Sequence, residues 1–175
     1  VKPIGVIGGQ LGGLIEAKES TLASALTQLD ELAFGFVEKI NAVHMAGFGT
    51  DGTTGNALFE PMATVSGAAA NMRRVDGMED TPWKVAAAKD PTLLPGANSN
   101  MLEIVTMQDD DTTIGGVKSF YTAYDEVVST VSVALNRGAE RLDVSTARVE
   151  RYMEMRDSEA AVSIQEEMVT ITQSE

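Results

Sequence analysis

The residues able to do chemistry in this 175-residue chain are few and poorly placed for it. His44 is the only histidine, so neither a histidine-based metal cluster nor a serine–histidine relay can be built around more than that residue. It follows Asn41 and Val43 near the end of a helical pattern, where a packing or cap-proximal role is the better reading. Cysteine is absent, which excludes disulfides and thiolate metal sites. Asp109, Asp110 and Asp111 could attract a cation. Three neighbours in one loop, however, cannot converge as an acid–base pair held by different elements does, and they read as a solvated turn. The run Gly8-Gly9-Gln10-Leu11-Gly12-Gly13 precedes a helix, as a phosphate-cradling turn would, yet its spacing fits neither G-x-x-x-x-G-K-S/T nor G-x-G-x-x-G. The loop from Gly47 to Asn56 carries Asp51 among glycines but lacks the ligand spacing of a calcium loop. The nine methionines are scattered at positions suited to core filling. No catalytic, cofactor-binding or metal-ligating residue emerges from this inventory, and no cofactor is implied.

What the chain does encode is long helices. From Gly12 to Ala46 it runs without proline, and Leu22, Leu26, Leu29, Ala33, Phe36, Ile40 and Val43 fall in alternating steps of four and three. That period predicts a helix of roughly 50 Å with a coiled-coil-like seam. Leu14, Ile15, Ala25, Leu32 and Val37 widen the stripe, so the helix should meet more than one neighbour. Leu29→Asp, placing a charge in that seam, is expected to unfold the bundle. Gly47 stands where a left-handed residue commonly closes a helix. A second long helix is predicted from about Val117 to Arg156, behind Gly115-Gly116. Its stripe is Val117, Phe120, Tyr124, Val127, Val131, Leu135, Gly138, Leu142, Ser145, Val149 and Tyr152, and the small Gly138 and Ser145 would admit a close neighbour.

The remaining segments are shorter. Val1–Ile7 reads as a weak strand, Trp83-Lys84-Val85-Ala86 as a short strand, and Met101–Met107 as a short helix capped by Asn100 or Ser99. Pro61, Pro82, Pro91 and Pro95 punctuate the connection. Ser163-Ile164-Gln165-Glu166 has the form of a capping box that would start a C-terminal helix. The predicted fold is therefore mainly α: long antiparallel helices forming a bundle or coiled-coil-like rod, with a small irregular or β-containing excursion between them. Residues 1–57 would supply the leading strand, glycine turn and first helix, residues 58–115 the connecting region, and residues 116–175 the second helix and the start of a third.

Composition agrees with helical packing, being 43% hydrophobic but only 5% aromatic. A formal charge of −13, from 26 acidic against 13 basic residues, argues against a nucleic-acid surface, which needs clustered Lys and Arg. The sequence shows neither a signal-peptide pattern nor an apolar run of membrane-spanning length. Its ends, with the last inside a helical pattern, read as those of an excised fragment.

At this point several motifs carry a family resemblance. Gly8-Gly9-Gln10-Leu11-Gly12-Gly13-Leu14-Ile15, Leu29-Asp30-Glu31-Leu32-Ala33 and Asn41-Ala42-Val43-His44-Met45-Ala46-Gly47 resemble the signature of the flagellar hook-associated protein family of the hook–filament junction. Lys89-Asp90-Pro91, Gly96-Ala97-Asn98-Ser99-Asn100, Gly115-Gly116-Val117-Lys118-Ser119-Phe120, Val127-Val128-Ser129, Arg156-Asp157-Ser158 and Val162-Ser163-Ile164-Gln165-Glu166-Glu167-Met168 follow in the family's order. The segment between Phe59 and Trp83 is short beside members with an extra β domain there. The resemblance implies a structural subunit of the bacterial flagellum rather than an enzyme, secreted by type III export to the extracellular flagellum and active in flagellum assembly. It implies sister subunits in a ring, the hook protein, a second junction protein and an export chaperone as partners, with no nucleic acid and no membrane. The alternatives are another secreted or phage-like helical assembly protein, or a small-ligand-binding helical module.

Overall fold

A computed structural model describes residues 9–111 and 113–173; the strand expected at Val1–Ile7 lies outside them. The chain is mainly helical, and among the described residues β structure is confined to isolated bridges: Phe48 with Thr54 and with Ala88, Phe59 with Arg74, and Ile114 with Lys118. It divides into two compact units, Val1–Val131 and Ser132–Glu175.

In the first unit, α1 (Gly9–Glu16), a π-helical run (Ala17–Leu22) and α2 (Ala23–Ala46) follow one another without a break. Gly12 and Gly13 lie within α1, and the positive φ of 72° at Gly9 marks its start. Gly47 ends α2 with a φ of −89°, so the expected left-handed cap is absent. Glycine is required there for a steric reason: a Cβ would collide with the Asn100 side chain and sit 3.0 Å from the Ala88 carbonyl oxygen.

The excursion after α2 holds α3 (Ala68–Asn71), two short 3-10 turns (Pro82–Lys84 and Pro91–Leu93) and α4 (Ser99–Thr106). The strand expected at Trp83–Ala86 is instead the first of those turns, with Pro82 fixing its entry. Neither Asn100 nor Ser99 caps α4, whose cap position is Asn98. Asn100 is buried inside the unit, and Ser99 Oγ accepts from the Lys89 N–H at 3.1 Å. Asp109, Asp110 and Asp111 are exposed in a turn, as expected.

Gly115 and Gly116, with φ of 59° and 75°, make a tight reversal closed by the Ile114 N–H to Lys118 carbonyl bond of 2.7 Å. It delivers Ser119, whose Oγ accepts from the Thr122 N–H at 3.1 Å and so caps α5 (Phe120–Gln173). The helix therefore starts at Phe120 rather than at Val117, which is 76% exposed. It also runs straight through Arg156–Ser163, so Ser163 is an interior helical residue and no separate C-terminal helix begins there. Neither Pro nor Gly occurs from Ala139 to Gln173 to stop it.

The expected antiparallel pairing is present where the first unit tests it. Phe36 of α2 meets Phe120 at 5.1 Å between ring centroids, and Gln28 accepts from Thr130 Oγ at 3.0 Å. Moving back along α2 thus moves forward along α5. Phe36 also packs edge-on against Phe59 at 5.6 Å. Gly35 lets Ile114 approach the helix backbone, and Val37, Ile40, Ala86, Ala88, Ile114 and Ala123 complete the core. The N-terminal half of the predicted seam stays open: Leu22, Leu26 and Leu29 are 54%, 51% and 38% exposed. Leu29 is the most covered of the three and faces Ala69, Met72, Phe120 and Tyr124 across a shallow groove.

Candidate functional site

Two kinds of helical surface result, one closed by polar side chains and one open. The closed surface begins from a spacing. Val37, Ile40, Asn41 and His44 fall at i, i+3, i+4 and i+7, which places all four on one side of α2, and all four are buried. Two of the four are polar, and burial requires each of their polar atoms to find a partner. Asn41 Nδ2 donates to the Phe59 carbonyl at 2.8 Å, while Oδ1 accepts from the Leu58 and Phe59 N–H groups at 3.0 and 2.9 Å. One amide thus replaces a strand partner for the segment leaving the Gly47–Asn56 loop.

His44, with 0% exposure, lies one turn on. Its Nδ1 is 2.7 Å from the Asn56 carbonyl oxygen and its Nε2 accepts from the Ala86 N–H at 3.0 Å. A carbonyl on one side and an N–H on the other admit a single arrangement, the neutral ring with its proton on Nδ1. Asn100, 1% exposed, donates from Nδ2 to the Val43 carbonyl at 3.1 Å and to the Ala86 carbonyl at 2.8 Å. Asp30 reaches α3, where its two oxygens accept from the Gly67 and Ala69 N–H groups at 2.7 and 2.9 Å. These four side chains fasten the excursion to α2. Gly49 permits the same closeness, since a Cβ there would collide with the Trp83 carbonyl oxygen.

At the rim, two aspartates organise their own turns. Thr53, through its N–H and then its hydroxyl, holds the Asp51 carboxyl below the ordinary aspartate range. Thr92, through its hydroxyl and then its N–H, does the same for Asp90. Each carboxylate is thereby occupied by its own loop. Among the described residues no group of three or more His, Asp or Glu side chains is arranged to hold a metal ion. His44, the sequence's one candidate for chemistry, has both nitrogens engaged by backbone and acts as a packing histidine.

The open surface is apolar. In the first unit, Leu29, Leu32, Ala33, Phe36, Phe120 and Tyr124, with Ala69 and Met72, line a groove of about 420 Å³. In the second unit, Leu135, Gly138, Leu142, Ser145, Val149 and Tyr152 of α5 keep the three-four step of a coiled-coil seam. Leu135, Leu142, Val149 and Tyr152 are 70%, 66%, 50% and 67% exposed, and a Cβ at Gly138 would meet nothing within 4 Å. These apolar side chains are left exposed along the helix. The sequence placed these residues on one long helix, as observed, but their solvent exposure was not readable from period alone. Conversely, Asn41, Asn100 and Asp30 went unrecognised as fasteners. The available signal was a polar residue at Asn41 in step with Val37, Ile40 and His44.

The chain is thus mainly helical, with buried polar groups that serve its own loops and with apolar side chains left exposed along α5. Residues 2–59, which include α1, α2 and the Asn41–His44 side of the clasp, match the family described as the flagellar hook-associated protein FlgK helical domain. That match supports a structural, hook-associated role for this part of the chain. Neither a curated protein nor a solved structure matches the chain. No helix among the described residues is long and apolar enough to cross a membrane.

Proposed function

We propose that this chain is part of a structural subunit of the bacterial flagellum that joins hook to filament by helix-mediated self-assembly. The observation that carries the reading is the exposed seam of α5 from Leu135 to Tyr152, on a chain whose residues 2–59 resemble a hook-associated helical domain. A seam of that period seats knobs from another helix, and burying four large side chains along it would contribute several kcal/mol at about 1.5–3 kcal/mol each. On this reading the partners are sister subunits in a ring, the hook protein and a second junction protein, with an export chaperone holding the chain before type III export to the extracellular flagellum. It acts by packing and carries out no catalysis.

The test is to mix the longer protein containing this chain with purified hook protein and filament protein under polymerising conditions and examine the polymer ends by electron microscopy. Joined or capped ends are the expected result. Absence of association with both polymers would overturn the junction role and favour a different helical assembly protein.

A further inference from the structure

We propose that His44 is an acid-sensitive latch: protonation of its ring releases the segments carrying Asn56 and Ala86 from α2. In the closed clasp Nδ1 gives its proton to the Asn56 carbonyl and Nε2 offers its lone pair to the Ala86 N–H. A proton added at Nε2 would turn that acceptor into a donor facing another donor, inside a site with 0% exposure. The ring can therefore take up a proton only by giving up the Ala86 bond. The charged residues on the elements around the ring are Asp30, Glu31, Glu38 and Lys39 of α2, Asp51 of the loop leading to Asn56, Glu60 beyond it, Lys84, Lys89 and Asp90 around Ala86, and Glu103 of α4. Lys89 and Glu103 form an ion pair with each other, and none of these side chains hydrogen-bonds the imidazole.

Opening at Ala86 would not stop at one bond. The Ala86 carbonyl accepts from Asn100, whose backbone N–H donates to the Ala87 carbonyl at 2.9 Å, and Ala88 pairs with Phe48. The 84–88 segment is thus held to α2 and to α4 through a short series of bonds that meet at His44 and Asn100. The sign follows from which form binds the proton. The closed clasp commits Nε2 to the Ala86 N–H and the opened one frees it for a proton, so closure weakens as the pH falls.

Because His44 is the only histidine, its ring gives a single set of nitrogen resonances by NMR. In the whole chain, the expected result is a neutral ring protonated on Nδ1 throughout the closed state. The Ala86 amide, corrected for intrinsic exchange, should lose protection between pH 7.5 and 5.0, while Ile40 in α2 keeps its own. His44→Gln, which keeps a donor and an acceptor but does not titrate, should lose that pH response. The latch is refuted if the ring gains a proton with Ala86 and Asn56 undisturbed, or if His44→Gln and the unaltered chain respond to pH alike. Should His44→Gln fail to fold, the ring and amide signals of the unaltered chain decide the matter alone.

Discussion

The Asn41–His44 side of α2 and the Leu135–Tyr152 seam of α5 are both helical stripes of period near 3.5, yet they end in opposite states. On α2 the stripe contains two polar residues and is buried, with every polar atom of Asn41 and His44 partnered by backbone. On α5 the stripe is more apolar and remains exposed. Apolarity by itself therefore did not decide which helix face this chain covers. The buried face is the one for which the excursion supplies backbone donors and acceptors at the right places. A buried hydrogen bond adds only about 1 kcal/mol net, but a buried orphan costs about 1–3 kcal/mol, so such a face is either closed completely or not closed at all.

The comparison can be broken most severely at Asn41. Asn41→Ala would leave the Leu58 N–H and both backbone groups of Phe59 without their partner, and should lower stability by about 3 kcal/mol or more in urea unfolding. A loss under about 1 kcal/mol would mean that the excursion is not held by this amide. Gly47→Ala tests the closeness of the same face. It should cost about 1–3 kcal/mol because the new Cβ collides with Asn100, and pairing it with Asn100→Ala should relieve part of that penalty in a double-mutant cycle.

On the open side, Leu142→Asp should change the melting of the isolated chain by less than about 1 kcal/mol, since Leu142 is 66% exposed, while abolishing capture at hook or filament ends. Lost stability with capture retained would reverse the roles given to the two faces. The smallest effect belongs to the rim. By carboxyl-carbon NMR, Asp51 and Asp90 should titrate below the ordinary aspartate range. Since folding lowers both, their contribution is present above the unfolded value and disappears as the pH falls through the folded one. Thr92→Ala should return Asp90 toward its usual value and leave Asp51 alone.

How much of this was legible in the sequence varies by element. The two helices, their antiparallel sense and the irregular excursion followed from period, the absence of proline and the glycine pairs. The limits of α5 were misjudged at both ends. Val117 continues the apolar step but lies in the turn before the Ser119 cap, and a capping-box pattern at Ser163 has no force where the preceding residues are already helical. The family resemblance was read over nearly the whole chain, whereas the family match covers residues 2–59.

By itself, the sequence determined what local interactions decide: a proline-free run becomes helix, paired glycines reverse the chain, and alternating steps of three and four draw a stripe along one side. Only the tertiary structure decided which stripe is covered, because burial depends on what another part of the chain brings within about 3 Å. Asn41, His44 and Asn100 look like ordinary polar residues until Phe59, Asn56 and Ala86 arrive from distant positions to meet them. Leu135 and Leu142 look like core until the described chain is seen to leave them exposed. Periodicity specifies a face, but the distant residues that cover it are specified by the fold.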